Sequence, residues 1–137
     1  ELGCGVGLCG IVAAAVGSDV VLTDHEGYPH VLQNARSNCK LNDSAVANAG
    51  GHLRVAGLSW GTFGSNAFDI RSTDLRDSTV LIGADILYSV SLFDSVFATT
   101  HFFGTPLLTV FQHRGGEDRV ILHEVATRWE MQIASLC

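Results

Sequence analysis

A chain of 137 residues that is 47% hydrophobic has the apolar surface for one core and too little length for two. Its net charge of −6 sets 14 acidic side chains against eight basic ones, of which only Lys40 is a lysine. The arginines form no run, which disfavours broad nucleic-acid binding through a basic stripe and favours a basic protein segment as partner.

No apolar run reaches the ~20 residues of a membrane span. The six histidines and four cysteines show neither zinc-ligand spacing nor a C-x-x-C pair, so no metal site is expected. Free thiols point to a reducing compartment, cytoplasm or nucleus.

The first ten residues, Glu1-Leu2-Gly3-Cys4-Gly5-Val6-Gly7-Leu8-Cys9-Gly10, read as a turn between a strand and a helix. Glycines through the bend let a ligand approach the main chain, and a helix over Leu8 to Val16 points its unpaired N–H groups at that turn. Two fingerprints overlap here. Gly5-x-Gly7-x-x-Gly10 satisfies the dinucleotide pattern, with Asp24 at the spacing of a ribose-binding acid. Glu1-x-Gly3-x-Gly5-x-Gly7 is similar to the E-x-G-x-G-x-G signature of seven-strand methyltransferases that use S-adenosylmethionine. The charges favour the second frame, because Glu1 complements an ammonium and a sulfonium and repels a pyrophosphate. A structural turn without a ligand is the remaining alternative.

Glu1 stands where a buried strand ends, although about five strand residues are expected ahead of such a turn. The expectation is therefore a fold truncated at its first strand. Gly17 closes the first helix, and Asp19 to Asp24 is an apolar run ending in an acid, the pattern of a buried parallel strand. Pro29 opens a helix that carries Val31, Leu32, Ala35 and Cys39 or Leu41 inward and gives way to a loop over 42–51. His52 to Leu58 alternates as a third strand and delivers Ser59-Trp60-Gly61. The stretch 62–78 is irregular, with Phe63 and Phe68 as anchors. Thr79 to Ala84 reads as a buried strand followed by Asp85-Ile86-Leu87-Tyr88. A helix capped by Ser91 or Asp94 runs to Phe103. Another strand covers Leu107 to Phe111, a helix spans Glu117 to Arg128, and a last strand lies near 129–136. Strands alternating with helices predict a doubly wound α/β sheet in one domain.

Right-handed crossovers bring the carboxyl ends of all these strands to one edge. Glu1, Asp24, Trp60, Asp85 and Gln112 each follow a separate predicted strand, so they converge on one crevice. Asp24 suits ribose hydroxyls or, alternatively, a helix cap. Trp60 suits an adenine ring or the core. Asp85 is poorly explained by packing, since a carboxylate after an apolar run needs partners or water. Tyr88 walls the same cleft or is simply half-buried. Gln112 and Arg114 bound an acceptor pocket or lie in a solvated loop.

Together with Glu1 to Gly7, the segments Leu22-Thr23-Asp24, Leu58-Ser59-Trp60-Gly61, Gly83-Ala84-Asp85-Ile86-Leu87-Tyr88 and Phe111-Gln112-His113-Arg114 make a pattern. The chain resembles the family of seven-strand protein methyltransferases that includes methyltransferase-like protein 23 and its lysine-methylating relatives, along almost all its length. The resemblance implies a Rossmann-like fold, here lacking the first strand and ending near the sixth. It implies that Glu1, Gly3, Gly5 and Gly7 hold the methionine end of S-adenosylmethionine, Asp24 the ribose, and Trp60 and Ala84 the adenine side. Asp85 and Tyr88 then face a lysine or arginine nitrogen of a protein substrate. The rival readings are an NAD-dependent oxidoreductase, which leaves Glu1, Trp60 and Asp85 unexplained, and a non-catalytic remnant that binds partners through exposed strand edges.

Overall fold

Nine elements alternate along the chain in a computed structural model that describes residues 1–75 and 79–134. They are α1 (Leu8–Ala15), β1 (Asp19–Asp24), α2 (Pro29–Asn48), β2 (His52–Gly57), α3 (Ser65–Thr73), β3 (Leu81–Gly83), α4 (Val90–Phe103), β4 (Leu107–Thr109) and α5 (Asp118–Arg128). The α/β alternation expected from the sequence is present.

Two parallel pairs form. β1 runs beside β2 from Asp19 opposite His52 to Asp24 opposite Gly57, and β3 runs beside β4 from Leu81 opposite Leu107 to Gly83 opposite Thr109. The first residues of the chain lie between the pairs. The Glu1 amino nitrogen donates to the Val21 carbonyl at 2.7 Å, and the Thr23 amide returns a bond to the Glu1 carbonyl at 2.9 Å. Bonds to the residues on either side of one partner are the pattern of a parallel ladder. On the other flank the Leu2 amide donates to Ile82 O at 2.8 Å. Residues 1 and 2 thus join β1 to β3, and every strand points its carboxyl end the same way.

On the amino-terminal side of Glu1 the two pairs part. A cavity of about 620 Å³ opens there, walled by Val20 and Val21 of β1 and by Val80, Leu81 and Ile82. It lies toward the opposite end of the strands from the glycine turn.

Side chains alternate across β1 and sort the core into two. Leu22, fully buried, packs with Cys4, Ile11 of α1 and Ala35 of α2, and Val20, Leu53 and Val55 join them. Val21 and Ala56 face the other way, onto a larger cluster built on Leu2, Leu58, Ile70, Ile86, Phe93, Val96 and Leu122. Helices therefore cover both faces of the β1 region, α1 and α2 on one and α3 and α4 on the other.

Several boundaries differ from the sequence expectations. α2 continues through the stretch expected as a loop because Val46, 3% exposed, gives its last turns a buried anchor. Cys39 is partly buried against the core, whereas Leu41 is exposed. The irregular stretch contains α3, which buries only Ala67 and Ile70, so polar residues conceal its period. Phe63 stacks on Phe102 with centroids 4.5 Å apart, and Phe68 meets the same ring edge-on at 5.2 Å. α4 begins after Ser89, not after Ser91 or Asp94. Asp94 instead accepts from Arg128 Nη1 at 3.0 Å and Trp129 Nε1 at 3.1 Å, tying α4 to the end of α5. β3 and β4 are three residues each, shorter than expected, since Val80 and Val110 are exposed.

The expected last strand does not form over 129–134, and its remainder lies outside the described residues. The Met131 amide turns back to Ala126 O at 2.9 Å, and Glu130 takes a φ of 56°. That closure ends the helix in a left-handed turn rather than an extended segment.

Candidate functional site

The rim where the strands end is formed by the glycine turn, Asp24, the 58–61 loop, Ala84-Asp85 and the segment after β4. Gly3, Gly5 and Gly7 have φ of 61°, 54° and 85°, a left-handed run closed to most side chains. At Gly5 the position a Cβ would take meets nothing within 4 Å, so the main chain is open to an approaching group. Gly10 serves a different purpose. A Cβ there would lie 2.2 Å from Leu22 Cδ2 and 2.7 Å from Glu1 Oε2, so its absence lets α1 press onto β1.

Two carboxylates hold this turn. Glu1 Oε2 accepts the Gly10 amide in the first turn of α1 at 2.9 Å, where the helix dipole favours negative charge. Asp24 Oδ2 accepts the Gly5 amide at 2.8 Å, and its Oδ1 accepts the His25 amide at 2.8 Å. Asp24 does not cap a helix, because α2 starts after Tyr28. Burial raises the Glu1 carboxyl above its ordinary value; the Gly10 bond and the chain's amino group act against that, and the Asp24 charge adds to it. Beneath the turn, burial pushes the Cys4 thiol up to about 12, with Asp24 and Glu1 contributing. Cys4 is therefore a neutral packing group and not a nucleophile.

The Asp24 charge raises the cost of ionising Glu1, and among the described residues neither acid forms a side-chain ion pair with a lysine, arginine or histidine. A cationic ligand lying over Gly5 relieves that repulsion. The open Gly5 main chain and the two carboxylates beside it fit S-adenosylmethionine.

Trp60 is half-buried, and its ring carbon Cζ2 lies 2.8 Å from where a Gly3 Cβ would stand. Ile86 Cγ2 meets the same point at 3.1 Å. Trp60 also packs against the larger core, so it is both a core aromatic and a wall beside the turn. Ala84 and Asp85 are exposed at the end of β3, and Asp85 has a φ of 54°, an uncommon conformation for a residue with a Cβ. Tyr88 is 52% exposed and Gln112 is exposed.

Beyond β4, the Arg114 guanidinium donates through Nη2 to Asp85 Oδ1. The Arg114 amide is itself fixed, donating to Asp118 Oδ2 at 2.7 Å, and the His113 ring meets Asp118 Oδ1. Asp118 is 8% exposed in the first turn of α5. Its burial would raise the carboxyl, but the Arg114 amide, His113 and the Arg119 amide outweigh that and hold it below its usual 3.8.

The strand ends thus bring Glu1, Gly5 and Asp24 together, set Trp60 against Gly3, and link Asp85 to Arg114. Sequence reasoning missed the ring cluster His25, Tyr28 and His30, with neighbouring centroids at 4.9 and 6.1 Å, on the loop after Asp24 and the first turn of α2. It missed Glu26, whose oxygens accept from Ser59 Oγ at 3.1 Å and Asn66 Nδ2 at 3.3 Å. It also missed Asp118, for which an acid opening a helix was the available signal. Among the described residues no His, Cys, Asp and Glu gather into a metal-holding group, and no helix is long and apolar enough to cross a membrane.

Residues 1–122 match the family model described as lysine methyltransferase. The chain belongs to the lysine methyltransferase family. Within this family it is 32% identical over 102 residues to the histone-arginine methyltransferase METTL23 of Homo sapiens, covering 74% of this chain and 48% of that protein. It is 33% identical over 111 residues to the EEF1A lysine methyltransferase 3 of Mus musculus, covering 81% and 42%. The protein-lysine methyltransferase METTL21E of Bos taurus is 32% identical over 133 residues, covering 96% and 39%. The chain therefore spans half or less of the length of these family members.

Proposed function

We propose that this chain carries the cofactor and acceptor rim of an S-adenosylmethionine-dependent protein N-methyltransferase that modifies a lysine or arginine side chain. The observation that carries the reading is the rim itself: an open glycine turn held by two acids stands at the end of one strand pair, and an exposed carboxylate at the end of the other. The family match over residues 1–122 supports it. The finer architecture, a Rossmann-like seven-strand sheet of which residues 1 and 2 continue the central strand, belongs to the same proposal.

S-adenosylmethionine, when bound, supplies an activated methyl on its sulfonium. Gly5 offers its main chain to the ligand, Glu1 and Asp24 offer negative charge, and Trp60 and Ala84 bound the adenine side. Asp85 receives the cationic acceptor and turns its nitrogen toward the turn, and Tyr88 flanks it. Alignment of donor and acceptor is the main contribution asked of the protein. The exposed rim lets a lysine lose its proton to water before attack. Names borne by relatives include both a histone-arginine and an EEF1A lysine methyltransferase, so both acceptors stand, on a protein of the nucleus or cytoplasm.

Asp85→Ala, made in a longer form of the protein that transfers methyl groups, is expected to lower transfer at least 100-fold while S-adenosylhomocysteine binds by calorimetry as before. Retained turnover would refute the acceptor role. A thermal-shift comparison of S-adenosylhomocysteine with NAD discriminates the oxidoreductase reading, which predicts stabilisation by NAD alone.

A further inference from the structure

Asp85, the carboxylate assigned to the acceptor, is already paired with a cation of the chain's own. Arg114 Nη2 donates to Asp85 Oδ1, across from the strand end of β4 to that of β3. Three observations decide what that pair does. First, it is exposed, with the Arg114 side chain 46% and the Asp85 side chain 72% accessible, and an exposed pair of this kind is weak. Second, a single guanidinium nitrogen, Nη2, bonds a single carboxylate oxygen, not the two-pronged grip that makes arginine–carboxylate pairs durable. Third, Arg114 is held by its main chain rather than its side chain. Its amide bonds to buried Asp118, so the guanidinium can leave Asp85 while its base stays in place.

We propose that Arg114 is an internal substitute for the substrate cation, occupying Asp85 until the lysine or arginine of the protein substrate displaces it. This inference rests on the acceptor reading of Asp85. Arg114 keeps the carboxylate directed across the rim, and it sets a selectivity: only a cationic side chain competes for the position, so neutral and anionic side chains do not enter. Asp85 and Arg114 thereby act as a gate that opens by exchange of one cation for another, with no bond made or broken.

The test uses the amides of N-acetyl-arginine and N-acetyl-lysine as probes, titrated by NMR into the wild-type chain and Arg114→Gln. The Gln variant retains the amide bond to Asp118, and its backbone spectrum reports whether the 113–118 turn is intact. The expected result is binding about twofold to fivefold tighter in Arg114→Gln, the range set by an exposed pair, reversal of the gain in Arg114→Lys, and no gain in Asp85→Asn/Arg114→Gln. Equal or weaker binding by Arg114→Gln overturns the gate, as does binding by neither protein. Methyl transfer is scored separately. Tighter cation binding without transfer supports the gate and refutes the methyltransferase reading, whereas transfer without tighter binding refutes only the gate.

Discussion

The half of the rim built on β1, β2 and α1 and the half built on β3, β4 and α5 are held by different kinds of bond. On the first, main-chain amides are the donors: Gly10 to Glu1 and Gly5 to Asp24. On the second, side chains dominate, with Arg114 on Asp85 and His113 on Asp118, and Arg128 on Asp94 tying α5 to α4 behind it. A half whose acids are held by main-chain amides keeps both carboxylates in place beside the turn, which suits a ligand of fixed shape and positive charge. A half made by exposed side chains can exchange partners. That suits an acceptor arriving on another protein.

The largest blow to the second half is to its core. Phe93, 1% exposed, meets Phe111 edge-on with centroids 6.1 Å apart, linking α4 to the segment that carries Arg114. Phe93→Ala is expected to cost ~3–5 kcal/mol in urea unfolding, the range for truncating a buried aromatic. A loss below about 1 kcal/mol would show that this half does not depend on the packing described.

The first half breaks by addition rather than removal. Gly10→Ala places a methyl against Leu22 and the Glu1 carboxylate, and overpacking of this kind costs ~1–3 kcal/mol. The variant is also expected to weaken S-adenosylhomocysteine binding, since α1 must lift from the turn it supports. Gly64→Ala is the control. Nothing lies within 4 Å of its Cβ position, and at a helix-preceding position the change should cost less than about 1 kcal/mol. Equal losses in the two variants would argue against the α1 contact.

The contrast between the halves also governs what the sequence could reveal. The glycine turn, the acid ending β1 and the alternation of strands with helices were legible because backbone chemistry leaves a local signature: glycine for positive φ, β-branched runs for buried strands, an acid at the edge. α3 and the second half of α2 were not, because a helix anchored by one or two buried residues, Ala67 and Ile70 or Val46, carries no full apolar period. The Asp85 to Arg114 pair spans 29 positions. Only the parallel pairing of β3 with β4 brings it together, so the two residues were visible singly and their partnership was not. A strand near 129–136 was expected, yet over the described residues 129–134 the local closure of α5 by Met131 prevails.

The finest distinction between the halves is in acid. Asp118 is held below its usual 3.8 by the Arg114 amide, His113 and the Arg119 amide despite its burial. A carboxyl whose folded value is depressed binds fewer protons than the unfolded chain between the two values. The stability it contributes is therefore complete above about pH 4 and is lost as pH falls through the folded value. Glu1 behaves oppositely. Burial raises its folded value above 4.5, so the folded state holds its proton longer and Glu1 contributes less as pH rises through that range. Followed by NMR, the Arg114 amide is expected to shift with a midpoint below 3.8 and the Gly10 amide with a midpoint above 4.5. Asp118→Asn should remove the first transition and leave the second. A shared midpoint for the two amides would mean that one global event moves both, and that the base of Arg114 is not independently anchored by Asp118.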